Sequence, residues 1–99
     1  MIDDAECAAG SIPRVAPLYR LQWEPAQDAW VLLFPEGMVK LNLSAGEILK
    51  RCDGTRSLDT LIGEIDAAFD SDVGAEVLTF LRFATERRWV EWSNALSVS

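Results

Sequence analysis

The sequence predicts a small α+β domain in which three antiparallel strands are followed by three helices. Apolar residues alternate with a period of two in the first half of the chain and recur with helical spacing in the second half. The chain has 99 residues, of which 49% are hydrophobic, and a chain of this size buries one core. We therefore expect one domain over residues 17–92, between a flexible tail at 1–16 and a frayed end at 93–99.

The predicted tail is small and acidic at its start, and Pro13 and Pro17 interrupt it. Asp3, Asp4 and Glu6 are the wrong charge for the basic start of a secretory signal. No run approaches the roughly 18 apolar residues that a membrane span needs. We expect a cytoplasmic protein that does not enter a membrane.

Three strands are predicted in the first half of the chain. Residues 18–24 alternate apolar and polar side chains, which is typical of a half-buried strand. Residues 29–34 are apolar on both faces, so they are predicted to form the middle strand. Residues 35–37 (Pro-Glu-Gly) form a tight turn, and residues 38–43 alternate again as the third strand.

Three helices are predicted in the second half. Ser44 and Glu47 have the spacing of a capping box at the start of the first helix, and Gly54 follows its end. Ser57 is predicted to cap the second helix, and Asp72 places an acid at the start of the third. Residues 89–92 predict a last extended segment. The apolar stripes of the three helices are Ala45, Ile48, Leu49 and Cys52; Leu58, Leu61, Ile62, Ile65 and Phe69; and Val73, Val77, Phe80, Leu81 and Ala84.

The composition excludes several kinds of chemistry. Without histidine there is no histidine base and no histidine-ligated metal. Cys7 and Cys52 are far apart and lack CxxC spacing, so we expect free thiols in a reducing compartment. A net charge of −7 disfavours binding to a phosphate backbone. We therefore expect no cofactor, no metal and no nucleic-acid partner, and binding rather than catalysis.

Acidic residues concentrate between Asp53 and Glu76. Paired carboxylates can hold a hard cation or transfer protons. However, Asp70 and Asp72 lack the further acids and the glycine of a calcium loop. We interpret the group as solvated acids on helix faces.

The third predicted strand has an unpaired edge. Both outer strands of a meander carry backbone groups without partners, and we expect the incoming tail to shield the first strand in part. An apolar helix beside the third strand would make a groove for an extended peptide. Alternatively, the same residues belong only to the core, and the pattern alone leaves both interpretations open.

A longer composite pattern runs from about residue 12 to residue 92. It consists of WVLLFPEG at 30–37, LNLSA at 41–45, IL at 48–49, CDG at 52–54, FL at 80–81 and WV at 89–90. This pattern resembles the PqqD family of pyrroloquinoline quinone (PQQ) biosynthesis. Two positions depart from the family, because Phe34 stands where tyrosine is common and Arg88 where glycine is often found.

The resemblance implies a winged helix-turn-helix-like fold and a peptide chaperone without catalytic activity. Such a chaperone binds the precursor peptide PqqA and presents it to the radical SAM enzyme PqqE. In related recognition domains the peptide adds as a strand beside the third strand, against the third helix. The peptide-binding residues that this implies are Met38, Val39, Lys40, Leu41 and Asn42 on the strand, and Val77, Leu78, Leu81 and Arg82 on the helix. Lys40 and Arg82 would attract carboxylates of the peptide, and the chain would be a monomer or a weak dimer, domain-swapped forms included.

Two other classes of function compete with this one. The topology also permits a winged-helix DNA-binding regulator. A helix that reads DNA needs basic residues at its start, whereas Asp72 and Glu76 occupy that end here. A small enzyme would need a nucleophile beside a base, and the sequence offers no such pair.

Overall fold

The computed structural model describes residues 10–94, and an antiparallel sheet is followed by three helices as predicted. The strands are β1 (Ser11–Val15), β2 (Arg20–Glu24), β3 (Ala29–Phe34), β4 (Gly37–Lys40) and β5 (Val90–Asn94). The helices are α1 (Leu43–Lys50), α2 (Leu58–Phe69) and α3 (Gly74–Glu86). The α+β class is confirmed. The predictions for residues 1–9, Cys7 among them, and for 95–99 lie outside the described residues.

The central sheet has the order β2-β3-β4, with β3 in the middle as its apolar sequence predicted. Leu21, Leu32 and Val39 lie opposite one another across the three strands and contribute to the core. Val31 faces the other way and is also buried, opposite Gln22 on β2 and Lys40 on β4. The third strand ends at Lys40, earlier than the predicted residue 43, since the chain then turns into α1.

The predicted tail is wrong for residues 11–15, which form β1 and pair with β5 in a separate two-stranded sheet. The backbone N–H of Val15 donates to the carbonyl of Cys52 at 2.9 Å, so β1 also holds the segment that follows α1. Arg14 forms an ion pair with Glu91 across the two strands at 3.0 Å. Because β1 pairs with β5, it adds no strand to the outer edge of β2, and the expected shielding of that edge by the tail was wrong.

The last extended segment is confirmed, but it is longer than predicted. It runs over Val90–Asn94, so residues 93 and 94 belong to a strand and not to the expected frayed end. Its other contact is with α3: the indole N–H of Trp92 donates to Thr85 Oγ1 at 2.8 Å. Trp92 therefore anchors β5 on α3.

The first helix begins earlier than the capping box predicted. Asn42, not Ser44, is the N-cap, and its Oδ1 accepts from the N–H of Ala45 at 2.8 Å. Glu47 does not reach back to the cap, because Arg51 binds its carboxylate at 2.8 Å. The second predicted cap is confirmed, since Ser57 Oγ accepts from Thr60 N–H at 3.3 Å.

The third helix has no side-chain cap of its own. Its N-cap position is Val73, whose backbone N–H donates to Asp66 Oδ1 on α2 at 2.8 Å. The predicted acid, Asp72, is exposed and does not fill this role. An acid from the neighbouring helix therefore fixes where α3 starts, close to the left-handed C-cap of α2 at Asp70.

The core lies between the helices and one face of the central sheet. α1 packs closely on β3 because Gly46 has no side chain: a Cβ there would lie 2.7 Å from Trp30 Cγ. The largest fully buried side chains are Leu32, Leu49, Leu61, Ile65, Leu81, Val31, Val77 and Pro13. No helix among the described residues is long and apolar enough to cross a membrane.

Several acids of the Asp53–Glu76 region pair with arginine. Glu64 on α2 binds both Arg51, at 3.2 Å, and Arg56, at 3.0 Å, and Arg56 also binds Asp53 at 2.8 Å. Hydrogen bonds from Thr55, and then the Arg56 charge, lower the pKa of Asp53. These ion pairs connect the end of α1 to α2, so they fix the position of the two helices relative to each other.

Candidate functional site

The outer edge of β4 presents unpaired backbone groups at Met38 and Lys40. The N–H of Leu41 donates inward to the carbonyl of Trp30 at 2.9 Å. Backbone groups of successive residues in an antiparallel strand point to opposite sides, so those of Val39 also point inward to β3. Those of Met38 and Lys40 therefore point outward, and no described strand lies on that side. This edge can accept one further strand.

A cavity of about 250 Å³ lies among the start of α1, the end of α2 and the first half of α3. Its lining is apolar except for Asn42, Ser44 and Glu76. Asn42 belongs to both features, because it follows β4 directly and also lines the cavity. The apolar lining residues are Ala45, Ile48, Ile65, Phe69, Val73, Val77 and Phe80.

A second, open pocket continues along the surface of α3. It has a volume of about 540 Å³ and is lined by Ala75, Glu76, Thr79, Phe80 and Phe83. It shares Glu76 and Phe80 with the cavity, so the two form one continuous feature, which we name the α3 groove. Phe83 is 42% exposed. Exposed aromatic surface beside a cavity is typical of a binding surface.

The predicted strand residues have different surroundings. Met38 is 51% exposed and Lys40 is exposed, so both side chains are available to a ligand. Val39 is half-buried against the core and Leu41 is 6% exposed. Asn42 is exposed, and its side chain caps α1. These residues surround the open edge, but the side chains of Val39 and Leu41 pack into the core and are not part of the exposed surface of that edge.

The predicted helix residues divide in the same way. Val77 and Leu81 are 1% and 0% exposed, so their side chains are buried among the described residues. Val77 nevertheless forms part of the cavity wall, whereas Leu81 lies entirely in the core. Leu78 is half-buried and Arg82 is exposed, and neither lines the α3 groove. The structure thus brings only Asn42 and Val77 of the predicted set together around the cavity.

Sequence reasoning missed the residues of α3 that do line the groove. Val73, Glu76, Phe80 and Phe83 recur at i, i+3, i+7 and i+10, the spacing of one helix face. This signal was available in the sequence. Phe80 was assigned to the core stripe, because the helical spacing of a half-buried phenylalanine is the same as that of a fully buried one.

The charges of the site favour two different ligand groups. Glu76 is the only ionisable residue that lines the α3 groove among the described residues, so a cationic group beside an apolar one would fit there. Lys40, on the strand edge, favours a carboxylate. Among residues 10–94, no group of three or more cysteine and carboxylate side chains is placed to hold a metal ion.

An open strand edge beside an apolar groove, on a small α+β scaffold, is typical of peptide-recognition modules. Residues 29–90 match the family described as coenzyme PQQ synthesis protein D (PqqD), and the chain belongs to this family.

Several relatives support this assignment. A PqqA binding protein of Azotobacter vinelandii is 46% identical over 89 residues, which cover 88% of this chain and 97% of the relative. One from Pseudomonas paraeruginosa is 47% identical over 83 residues, covering 82% and 90%. The solution structure of the PqqD part of Methylobacterium extorquens PqqCD, described as a stand-alone recognition element for ribosomally synthesised, modified peptides, superimposes with a TM-score of 0.68 at 26% identity. It covers 81% of this chain and 88% of that one.

Proposed function

We propose that this chain is a non-catalytic adaptor of PQQ biosynthesis that binds the precursor peptide PqqA as an additional strand on β4. The observation that carries the proposal is the outward-facing backbone of Met38 and Lys40, which lies next to the α3 groove. The names of its relatives, PqqA binding proteins, supply the identity of the peptide.

The strand edge and the groove would have separate tasks. Backbone hydrogen bonds to Met38 and Lys40 give affinity that does not depend on the peptide's sequence. Alternate side chains of an added strand point to the same face, so apolar ones can reach the α3 groove. Lys40 attracts a carboxylate of the peptide, and Glu76 a cation. Of the implied set, Leu81 supports α3 from the core.

Leu78 and Arg82 are on the flank of α3 that does not line the groove. We propose that this flank of α3, which lies away from the groove, meets a second partner while the peptide is bound. The radical SAM enzyme PqqE, which the family resemblance implies, is our candidate for that partner. In this scheme the enzyme carries out the chemistry and this chain only presents the peptide.

Amide hydrogen exchange with and without synthetic PqqA tests strand addition directly. The outward amides of Met38 and Lys40 should become protected on binding. The inward amides of Val39 and Leu41 should already be protected in the free protein. In a heteronuclear titration, shifts should concentrate on β4 and α3, and shifts confined to α1 and α2 would contradict the proposal.

Two controls separate the partners. Gel filtration of the complex with PqqE should show one ternary species, and displacement of PqqA by PqqE would contradict presentation. Retention on duplex DNA that weakens with salt would instead revive the DNA-binding alternative. The acidic start of α3, where Glu76 lies in the first turn, predicts no such retention.

A further inference from the structure

Two charged and two aromatic residues share one face of α3. Glu76, Phe80, Phe83 and Arg87 recur at i, i+4, i+7 and i+11. This spacing places all four within about 60° of one another around the helix axis. Arg87 is the C-cap, and its backbone N–H donates to the carbonyl of Phe83 at 3.1 Å, so it continues the last turn. The face that borders the α3 groove therefore begins at an acid and ends at a base.

The side chain of Arg87 is held at the end of the groove without a partner of opposite charge. Its guanidinium carbon lies 4.3 Å from the centroid of the Phe83 ring, and Phe83 in turn packs edge-on against Trp89 at 5.6 Å. Such a cation–π contact positions a guanidinium while its N–H donors stay available. Arg87 is exposed, and no carboxylate among residues 10–94 forms an ion pair with it. The charge is therefore available to a ligand.

The two charges lie at a distance that suits an extended peptide. Glu76 is also exposed, and it makes no ion pair within the described part of the chain. Eleven residues of helix separate it from Arg87, which is about 16 Å. An extended chain advances about 3.3 Å per residue and presents alternate side chains on one face. Peptide side chains about four to six positions apart can therefore reach both charges, and those between them face Phe80 and Phe83.

We propose, on the basis of the peptide-binding function proposed above, that Arg87 binds a carboxylate of the peptide and that Glu76 and Arg87 together fix the peptide's direction along α3. The matching peptide face carries a basic side chain, then apolar ones, then a carboxylate. In the reverse direction each charge of the peptide meets a like charge, which is unfavourable. Strand addition to β4 alone accepts a parallel or an antiparallel strand, so the charges on α3 determine which one binds.

Calorimetric titration of synthetic PqqA into the full chain tests the role of Arg87. Arg87→Gln should weaken binding about threefold to fivefold, the upper range for an exposed ion pair. Arg87→Glu should weaken it about tenfold or more, because repulsion replaces attraction. Arg88→Gln is the matched control, since it removes the same charge from the next residue, which is also exposed. It should bind PqqA as the wild type does.

A double-mutant cycle identifies the carboxylate that Arg87 binds. Each aspartate and glutamate of PqqA is replaced in turn by asparagine or glutamine. One replacement should weaken binding to the wild type and cause no further loss in Arg87→Gln. The same cycle between the basic residues of PqqA and Glu76→Gln identifies the other end of the pattern. The two peptide residues should be about four to six positions apart.

A purely structural role for Arg87 predicts different results. A cation at the end of a helix stabilises the helix dipole, and the contact with Phe83 adds to packing. In that case Arg87→Gln would lower the melting temperature and leave the affinity for PqqA unchanged.

Three results would overturn the role of Arg87 while strand addition stands, provided that PqqA still protects the amides of Met38 and Lys40. Arg87→Gln and Arg88→Gln could bind PqqA equally well. No carboxylate of PqqA could be coupled to Arg87. The coupled basic and acidic residues could lie at a spacing that does not match the two charges. If PqqA protected neither amide in the wild type, the proposed function itself would fail, and the role of Arg87 with it.

Discussion

The two edges of the central sheet have the same backbone pattern and different side-chain surroundings. On both β2 and β4, alternate residues point their N–H and C=O groups outward. Beside β4 the chain turns into α1 and the α3 groove opens, so an added strand meets a cavity. Beside β2 an open pocket of about 290 Å³ reaches only Arg20 at one end of the strand, and the charges at the two ends of the strand are opposite. Both edges therefore have backbone groups that can bond to a further strand, and the neighbouring side chains determine which partner fits.

This difference originates in the segment that comes after each strand along the chain. β4 is joined to α1 by two residues, so Asn42 caps the helix and lines the cavity at once. β2 leads through a turn at 25–28 into β3. The apolar face of β2 packs against α1 and against Trp30 of β3. An edge next to a helix start can become a specific site, whereas an edge next to a hairpin has only its own residues to offer.

The largest expected effect distinguishes inward from outward residues on β4. Leu41→Pro removes the hydrogen bond to Trp30 and a side chain that is 6% exposed, so we expect a loss of about 5 kcal/mol in the free energy of unfolding. Lys40→Pro removes only an outward N–H. It should leave stability nearly unchanged and abolish PqqA binding. Urea unfolding and calorimetric titration measure the two effects.

Comparison of the two prolines tests the direction in which each backbone N–H points. Equal destabilisation by both would show that the alternation along β4 is not the one described.

The next effect is a loss of stability at alkaline pH. It should unfold both edges of the sheet together, because it acts on the core that they share. Burial, and then the nearby charge of Asp53, raise the pKa of the Cys52 thiol from 9.0 to about 12. Above pH 9 the unfolded chain loses this proton while the folded chain retains it. Stability is therefore fully present below pH 9 and falls by about 1.4 kcal/mol per pH unit above it, to a total of about 4 kcal/mol near pH 12.

Unfolding followed by circular dichroism between pH 8 and 11 measures this slope. Cys52→Ala should be less stable at neutral pH, because it vacates a buried site, and its stability should fall less steeply above pH 9 than that of the wild type. Peptide binding should decline as the folded fraction falls. An identical slope in Cys52→Ala would assign the alkaline loss to other groups.

How far the sequence predicted these features depends on how local each one is. The period of β2 and β3 and the stripes of the three helices involve neighbours in sequence, and they were found. β1 was missed because its partners, β5 and the segment around Cys52, are distant along the chain, and Pro13 resembles a break in structure. Its five residues carry no strand pattern that the sequence alone would distinguish from a tail.

The site was predicted less completely, for a related reason. The open edge of β4 follows from strand order, so the sequence already placed Met38 and Lys40 on it. Which side of α3 borders the cavity depends on how α1, α2 and α3 pack against one another. This packing places Phe80 and Glu76 on the groove and Arg82 away from it. The shift of the α1 cap from Ser44 to Asn42 has a tertiary cause as well, because Arg51 holds the Glu47 carboxylate that the box would need.

The smallest expected effects separate the two edges by one aromatic side chain each. Phe80→Ala removes an apolar wall of the α3 groove, so PqqA binding should weaken by about 1–2 kcal/mol. Trp23→Ala changes the opposite edge of the sheet, so peptide affinity should be preserved.

Both aromatic residues are only partly buried, so each variant should fold, and thermal unfolding checks this. Calorimetric titration with PqqA should be run on both proteins. If Trp23→Ala also weakened peptide binding, the two edges would be coupled through β3, where Trp30 contacts Trp23 on one side and bonds to Leu41 on the other. Unchanged affinity in Trp23→Ala would instead show that β4 binds the peptide independently of the β2 edge.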